Sequence, residues 1–391
     1  RGHGAEDPRP APGPDRADVI TKSTIQHSFP RGTHPRILVL TGGLIHLVHQ
    51  LAVASTLLEG CGKRGKPVIA VAITGVLRKQ PDTLAGIHEQ IEHWMTVLES
   101  QHPNIFNCVK VIRDLQDLSP LAWDLALLNN QWAASQRQLV EQLAIPQVVI
   151  CGDGLGIYYR CAREIRAILP SLLNSPISEP RLAIDYVLMS NPLQWHRPPV
   201  QSGKASRCSL DRIFSSLLTS QRPNNISLVA RWISCLEPDR FLWLCSIPNL
   251  AHQWKDSYIP NAVLHSWIRH LSRCHGFDPR HDKLVLIDHP KAPPGGSFQP
   301  EVDSCLIGPY RPSAPLEVLV ALAHELQSSR HVVVAGMTSS LFGVKALTGS
   351  KVVWLPLLPL LLNNPNYWKK PVEFAHRWIR RYRMEILTSQ L

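Results

Sequence analysis

Short apolar runs, each followed by a stretch of helical periodicity, recur along most of this chain. The first, Arg36-Ile37-Leu38-Val39-Leu40, predicts a buried strand, and Thr41-Gly42-Gly43 turns it into an apolar-periodic helix from Leu44 to about Leu58. A strand at Val68–Ile73, a helix around Thr83–Glu99 and strands at Val109–Ile112 and Gln147–Ile150 continue the alternation. Runs that are apolar at every position suit a parallel sheet covered by helices on both faces. From Asn191 to Asn224 the pattern gives way to Pro, Ser, Arg and Gln, which predicts a long loop around one short helix near Ser209–Thr219 and a nearby domain boundary. The alternation resumes with strands at Phe241–Cys245 and Leu284–Ile287, a helix at Leu316–Leu326, and strands at His331–Ala335 and Lys351–Leu355.

Two strand-helix halves joined by a linker predict an α/β fold of two Rossmann-like domains facing a cleft, with domains at residues 31–225 and 226–370. Residues 1–30, rich in Pro, Gly, Arg and Asp, predict a disordered tail. Residues 371–391 predict a basic helix carrying His376, Arg377, Arg380, Arg381 and Arg383 among Trp378, Ile379, Tyr382 and Ile386. Such a helix suits packing on the protein body or peripheral contact with an anionic membrane.

A length of 391 residues is enough for two cores, and 44% hydrophobic with 18% charged residues describes a globular chain. The net charge of +11 favours anionic ligands: nucleotides, acidic glycans, anionic lipid or nucleic acid. No nucleic-acid module accompanies that charge, which makes nucleic acid the least favoured. The nine cysteines are scattered without a Cys-x-x-Cys pair, so neither a disulfide framework nor a zinc site is indicated, and a reducing, cytoplasmic compartment fits. Cys151 and Cys245 fall inside apolar runs, as buried thiols do. No apolar run reaches the length of a membrane-spanning helix; a leader or anchor ahead of Arg1 is compatible with a first residue other than methionine.

Three strings follow predicted strands: Cys151-Gly152-Asp153-Gly154, Asp288-His289-Pro290 and Thr338-Ser339-Ser340-Leu341. They supply a carboxylate, an imidazole and paired hydroxyls, the set needed to deprotonate an acceptor hydroxyl while a phosphate-bearing leaving group is neutralised. Each has a plainer reading beside it. Asp153 can serve as a base among its glycines or cap the helix that follows. His289 can donate to a phosphate oxygen, with Lys291 adding a cation, or sit as an ordinary surface histidine; roughly one or two His-Pro pairs are expected by chance in such a composition, and His34-Pro35 and His102-Pro103 also occur. Ser339 and Ser340 can bind an anion at a helix start or simply cap it. Glu317 can cap its own helix or hold ribose hydroxyls, and His46 beside Thr41-Gly42-Gly43 is a candidate acceptor contact. No Asp-x-Asp string suggests a metal site.

The ordered set Gly152-Asp153-Gly154, His289-Pro290, Glu317-Val318-Leu319 and Ser339-Ser340 resembles the bacterial sialyltransferases and polysialyltransferases of the glycosyltransferase-B type, over about half of the chain. The resemblance implies an inverting, metal-independent transfer of sialic acid or a related 2-keto sugar acid from a CMP donor to the hydroxyl of a glycan or glycolipid, without a cofactor. It implies Asp153 as general base and His289 as general acid or phosphate ligand. Pro290, Lys291, Ser339 and Ser340 would lie at the phosphate, and Glu317 at the ribose. Gly152 stands where the family has a first acid. The alternatives are a transferase using another nucleotide sugar and a non-catalytic relative that binds acidic glycan or another polyanion. The implied location is the cytoplasm, including the inner face of the membrane.

Overall fold

The computed structural model describes residues 35–59, 67–74, 81–129, 134–152, 186–189, 201–204, 207–247, 259–289, 305–327, 331–336 and 340–356. Asp153, Pro290, Lys291, Ser339, the 1–30 tail and the 371–391 helix lie outside them.

In chain order the first half runs β1 (Arg36–Thr41), α1 (Leu44–Leu58), β2 (Val68–Ile73), α2 (Pro81–Gln101), β3 (Val109–Ile112), β4 (Leu125–Leu128), α3 (Ala134–Gln142), β5 (Val148–Gly152), β6 (Tyr186–Met189), β7 (Gln201–Lys204) and α4 (Arg207–Ser234). The second half runs β8 (Leu242–Ser246), α5 (Asn261–His275), β9 (Lys283–Ile287), β10 (Leu306–Tyr310), α6 (Leu316–Leu326), β11 (Val332–Gly336), α7 (Ser340–Thr348) and β12 (Lys351–Trp354). The first seven strands form one parallel sheet in the order β3-β2-β1-β4-β5-β6-β7, and the last five a second in the order β10-β9-β8-β11-β12. Both open with the 3-2-1-4-5 order of a Rossmann fold, so the α/β class and its two Rossmann-like sheets are as the sequence predicts.

Burial explains the unbroken apolar runs. Strands β1, β2 and β4 are solvent-free from Ile37 to Leu40, Ile69 to Ile73 and Leu125 to Leu128 because helices cover both faces. In the second sheet alternate residues sort onto opposite faces. Trp243, Cys245, Leu284, Leu286, Val333 and Ala335 pack with α5 through Trp267 and Leu271. Leu242, Leu244, Val285, Val332 and Val334 face α6 and α7, in a core continuous with that of the first sheet. Helix α5 ends on Gly276, whose φ of 81° is the left-handed conformation that a residue without Cβ adopts at a helix end.

From Arg207 onward helix α4 stands where the loop around a short helix at Ser209–Thr219 is expected; residues 190–200 and 205–206 lie outside the described residues. Its buried positions Leu210, Ile213, Phe214, Leu217, Val229 and Trp232 keep a helical stripe, but the middle of that stripe is Ser220, Gln221 and Asn225, all buried, with Pro223 beside them. A polar centre and an internal proline hide the period from the sequence. The helix joins the two halves: Trp94 Nε1 donates to Ser216 Oγ at 2.8 Å, Arg212 pairs with Glu59 at 2.7 Å, Arg222 pairs with Glu325, and the rings of Trp232 and Tyr310 lie 5.5 Å apart. No described helix is long and apolar enough to cross a membrane.

Candidate functional site

In an open parallel sheet the strand order reverses at one place, and beyond the carboxyl ends there the loops part to leave a crevice. In the second sheet that place lies between β8 and β11, with β9 on the other side of β8. The two neighbours end close to it: a Cβ on Gly336, the last residue of β11, would lie 3.0 Å from the carbonyl oxygen of Ser246, the last residue of β8. Glycine is what allows that approach.

Two residues beyond β9 stands His289, half-buried, after the buried Asp288, whose amide donates to the Tyr310 carbonyl at 2.8 Å. That bond ties the His289 backbone to β10. On the far side of β8, Ser340 is the first residue of α7 and is half-buried. Strand spacing puts the ends of β9 and β11 about 10 Å apart, which a phosphate ester spans when side chains reach in from both sides. The chemistry on offer is a ring nitrogen from one flank and a hydroxyl plus helix-terminal amides from the other.

Glu317 sits in the first turn of α6, where an acid complements the helix amino end, and Pro315 holds the cap position. Only 2% exposed, its carboxylate is pressed against the first turns of α7, where a Cβ on Gly343 would come 2.5 Å from Oε1. The side chain lies at the α6–α7 seam.

In the first sheet the reversal lies between β1 and β4. Strand β5, two strands from β1, ends at Gly152, paired with Met189 of β6; Asp153 is the next residue in sequence and lies outside the described residues. The Thr41-Gly42-Gly43 turn opens α1 as expected, with His46 in its first turn. Sequence reasoning missed what surrounds it. Gln136 Nε2 lies 2.9 Å from the Leu40 carbonyl oxygen, 2.8 Å from Thr74 Oγ1 and 2.6 Å from Asn129 Oδ1, while Gln50 Nε2 bridges the carbonyls of Leu40 and Leu127 at 2.8 and 3.0 Å. These amides fill the split between β1 and β4. The available signal was Asn129 itself, a polar residue closing the apolar run Leu125–Leu128.

Cys151 and Cys245 are buried as expected, and burial pushes the Cys245 thiol up to about 12, which keeps it protonated and unreactive. Among the described residues no group of three or more His, Cys, Asp or Glu is placed to hold a metal ion.

No protein-family model and no curated protein sequence matches the chain. Solved structures that align with it include the glycosyl transferase family 9 protein from Veillonella parvula, at 11% identity over 86% of this chain and 84% of that one, with a TM-score of 0.37. The E. coli heptosyltransferase WaaC with ADP-2-deoxy-2-fluoro heptose aligns at 13% identity over 82% and 88% of the two chains, with a TM-score of 0.33. The E. coli ADP-heptose lps heptosyltransferase II aligns at 12% identity over 88% and 99%, with a TM-score of 0.34. Likeness this remote carries neither donor nor acceptor over to this chain.

Proposed function

We propose that the chain is a glycosyltransferase that moves sialic acid, or a related 2-keto sugar acid, from a CMP donor to a glycan or glycolipid hydroxyl with inversion. The observation that supports this reading is the placement of His289 and Ser340 beyond β9 and β11, the two strands that flank β8, with Ser340 at the strand-order reversal between β8 and β11. In this reading the second sheet holds the donor and Asp153, following β5, acts on the acceptor.

The acceptor oxygen gives its proton to Asp153 as it bonds to the anomeric carbon, and the bond from that carbon to the phosphate oxygen breaks. CMP leaves with the electron pair, its developing charge met by His289, Lys291, Ser339, Ser340 and the amino end of α7. Glu317 holds the ribose side of the nucleotide from the α6–α7 seam. The basic helix at 371–391 rests against anionic lipid when the acceptor is a glycolipid, at the cytoplasmic face of the membrane.

Nucleotide-induced melting shifts test the donor class. CMP is expected to raise the melting temperature of the wild-type chain and not that of Ser340→Ala, with UDP, GDP and ADP weaker. A larger shift with another nucleotide replaces CMP as donor. No nucleotide shift, together with salt-sensitive binding of acidic glycan, replaces the enzyme with a polyanion-binding protein.

A further inference from the structure

Basic side chains gather at the amino ends of the second sheet's strands, opposite the crevice. Lys351 opens β12, paired with Val333 of β11, and His331 stands one residue ahead of β11. Phe241 stands one residue ahead of β8, and His275 closes α5, the helix that returns from the end of β8 toward the start of β9. These groups adjoin one another. The rings of His270 and His275 lie 5.1 Å apart, Lys351 Nζ stands 5.4 Å from the centre of the Phe241 ring, and that ring lies 5.9 Å from the ring of His331. His270 and Lys351 both act on His275, adding to burial in holding its pKa below the ordinary value.

Groups of one charge sign brought together out of water cost stability unless a counter-charge sits among them. None does so here: among the described residues His270, His275, His331 and Lys351 make no ion pair. The acids at this end are engaged elsewhere or exposed. Glu237 bonds to His281 at 3.1 Å and lies 3.9 Å from Arg240, Asp282 accepts from the Asp278 amide at 2.8 Å, Asp278 accepts from the Arg280 amide at 3.0 Å, and Asp239 is exposed. Burial lowers the pKa values of His270 and Lys351 as well, the reverse of what a neighbouring carboxylate does. Nδ1 of His275 and Nδ1 of His331 are moreover buried without a hydrogen-bond partner, the state in which a bound ion or water is called for. A metal ion does not suit: the Lys351 ammonium repels it, and among the described residues no third ligand joins His270 and His275. The approach is basic too, since His265, Arg269 and Arg273 follow at four-residue spacing along α5, a helix without an acid.

We propose that the base of the second sheet binds a phosphate-type oxyanion on Lys351, His270 and His275, at the opposite end of the strands from the crevice. Five residues of strand put about 16 Å between the two places. The lysine supplies charge at neutral pH, and the imidazoles donate to the anion and take up protons as it enters. The oxyanion is free phosphate or the phosphate ester of a sugar. This site does not depend on the transfer reading.

Calorimetric titration of the full chain with sodium sulfate, inorganic phosphate and glucose 6-phosphate, at ionic strength held constant with sodium chloride, tests it. Binding is expected for sulfate and for at least one phosphate, the tighter of the two phosphates identifying the source. Sulfate keeps its charge between pH 7.5 and 6, so its binding should tighten by about threefold or more over that range as the protein's imidazoles charge. His281 is held by Glu237, and His324 of α6 bonds Ser350 Oγ at 3.0 Å, so His270→Gln is the substitution that should weaken sulfate binding and flatten its pH dependence. Lys351→Met should weaken it by about tenfold or more, and Ser340→Ala in the crevice should leave it unchanged. Circular dichroism melting establishes that each variant is folded, and the ring signals of His270 and His275 should shift when sulfate is added to the wild-type chain, a readout that needs no substitution. No binding of sulfate or phosphate, sulfate binding unaltered in folded Lys351→Met, binding lost in Ser340→Ala, or ring signals that do not move overturns the proposal.

Discussion

Placing a methyl group on Gly343 tests the α6–α7 seam in a way whose sign depends on a single partner. In an ordinary helix interior, Gly→Ala is worth about 1 kcal/mol of added stability because it removes backbone freedom from the unfolded chain. Here the new Cβ would stand 2.5 Å from Glu317 Oε1, with Cδ and Cγ at 3.4 and 3.6 Å, so the carboxylate must move. Glu317 is 2% exposed and has little room in which to do so. Overpacking a filled interior costs about 1–3 kcal/mol, and displacing a buried polar group from its partners costs about 1–3 kcal/mol more. Gly343→Ala in the wild-type chain should therefore lose about 1–5 kcal/mol net, the helix gain included. In a Glu317→Ala background the clash is absent and the same substitution should stabilise by up to about 1 kcal/mol. Urea unfolding of the four proteins gives the cycle, with a coupling of about 2–6 kcal/mol between the two sites. Equal effects of Gly343→Ala in both backgrounds would refute the packing described for Glu317.

Replacing Gln50 with Leu removes its donors to the Leu40 and Leu127 carbonyls in a buried site, and should cost about 1–3 kcal/mol in the same unfolding assay. His289→Ala should lower kcat for CMP release by about 100-fold or more with little change in KM, whereas Ser340→Ala should act mainly on KM. His270, His275 and His324 all have pKa values held below the ordinary 6.5, first by burial, with His270 and Lys351 adding to the effect at His275. In the unfolded chain these rings take up protons first, so stability is fully present above pH 6.5 and falls on acidification toward the folded values. Melting temperatures followed from pH 7.5 to 5, roughly the window in which imidazoles charge, should drop, and His275→Gln should flatten that dependence.

Strands buried on both faces announce themselves, which is why β1, β2 and β9 and the helices Leu44–Leu58 and Leu316–Leu326 were legible within a residue or two. Helix α4 was not legible because it has polar positions where a stripe should be apolar. In α4 the buried centre is Ser220, Gln221 and Asn225, satisfied in part by the Asn225 bond to the Gln221 carbonyl, so a hydrophobic count sees a gap. Strand β4 is only four residues long, and β10 carries the internal Gly308-Pro309, which reads locally as a turn. At the candidate site, His289 and Ser340 were legible because each follows an obvious strand. Glu317 was placed on the right helix, yet its packing against Gly343 depends on a contact 26 residues away along the chain, since 343 − 317 = 26. The cluster of Asn129, Gln136 and the Leu40 carbonyl joins three segments that no local pattern connects.

The central claim is chemical transfer from a CMP donor with Asp153 as base. Incubating the full chain with labelled CMP-sialic acid and a glycan acceptor, while following free CMP and the anomeric configuration of the product by NMR, tests it directly. The account predicts one CMP per sugar transferred, an inverted linkage, and loss of both signals in Asp153→Asn. Release of CMP at the same rate from Asp153→Asn, a retained linkage, or no transfer from CMP-sialic acid to any glycan acceptor would contradict it.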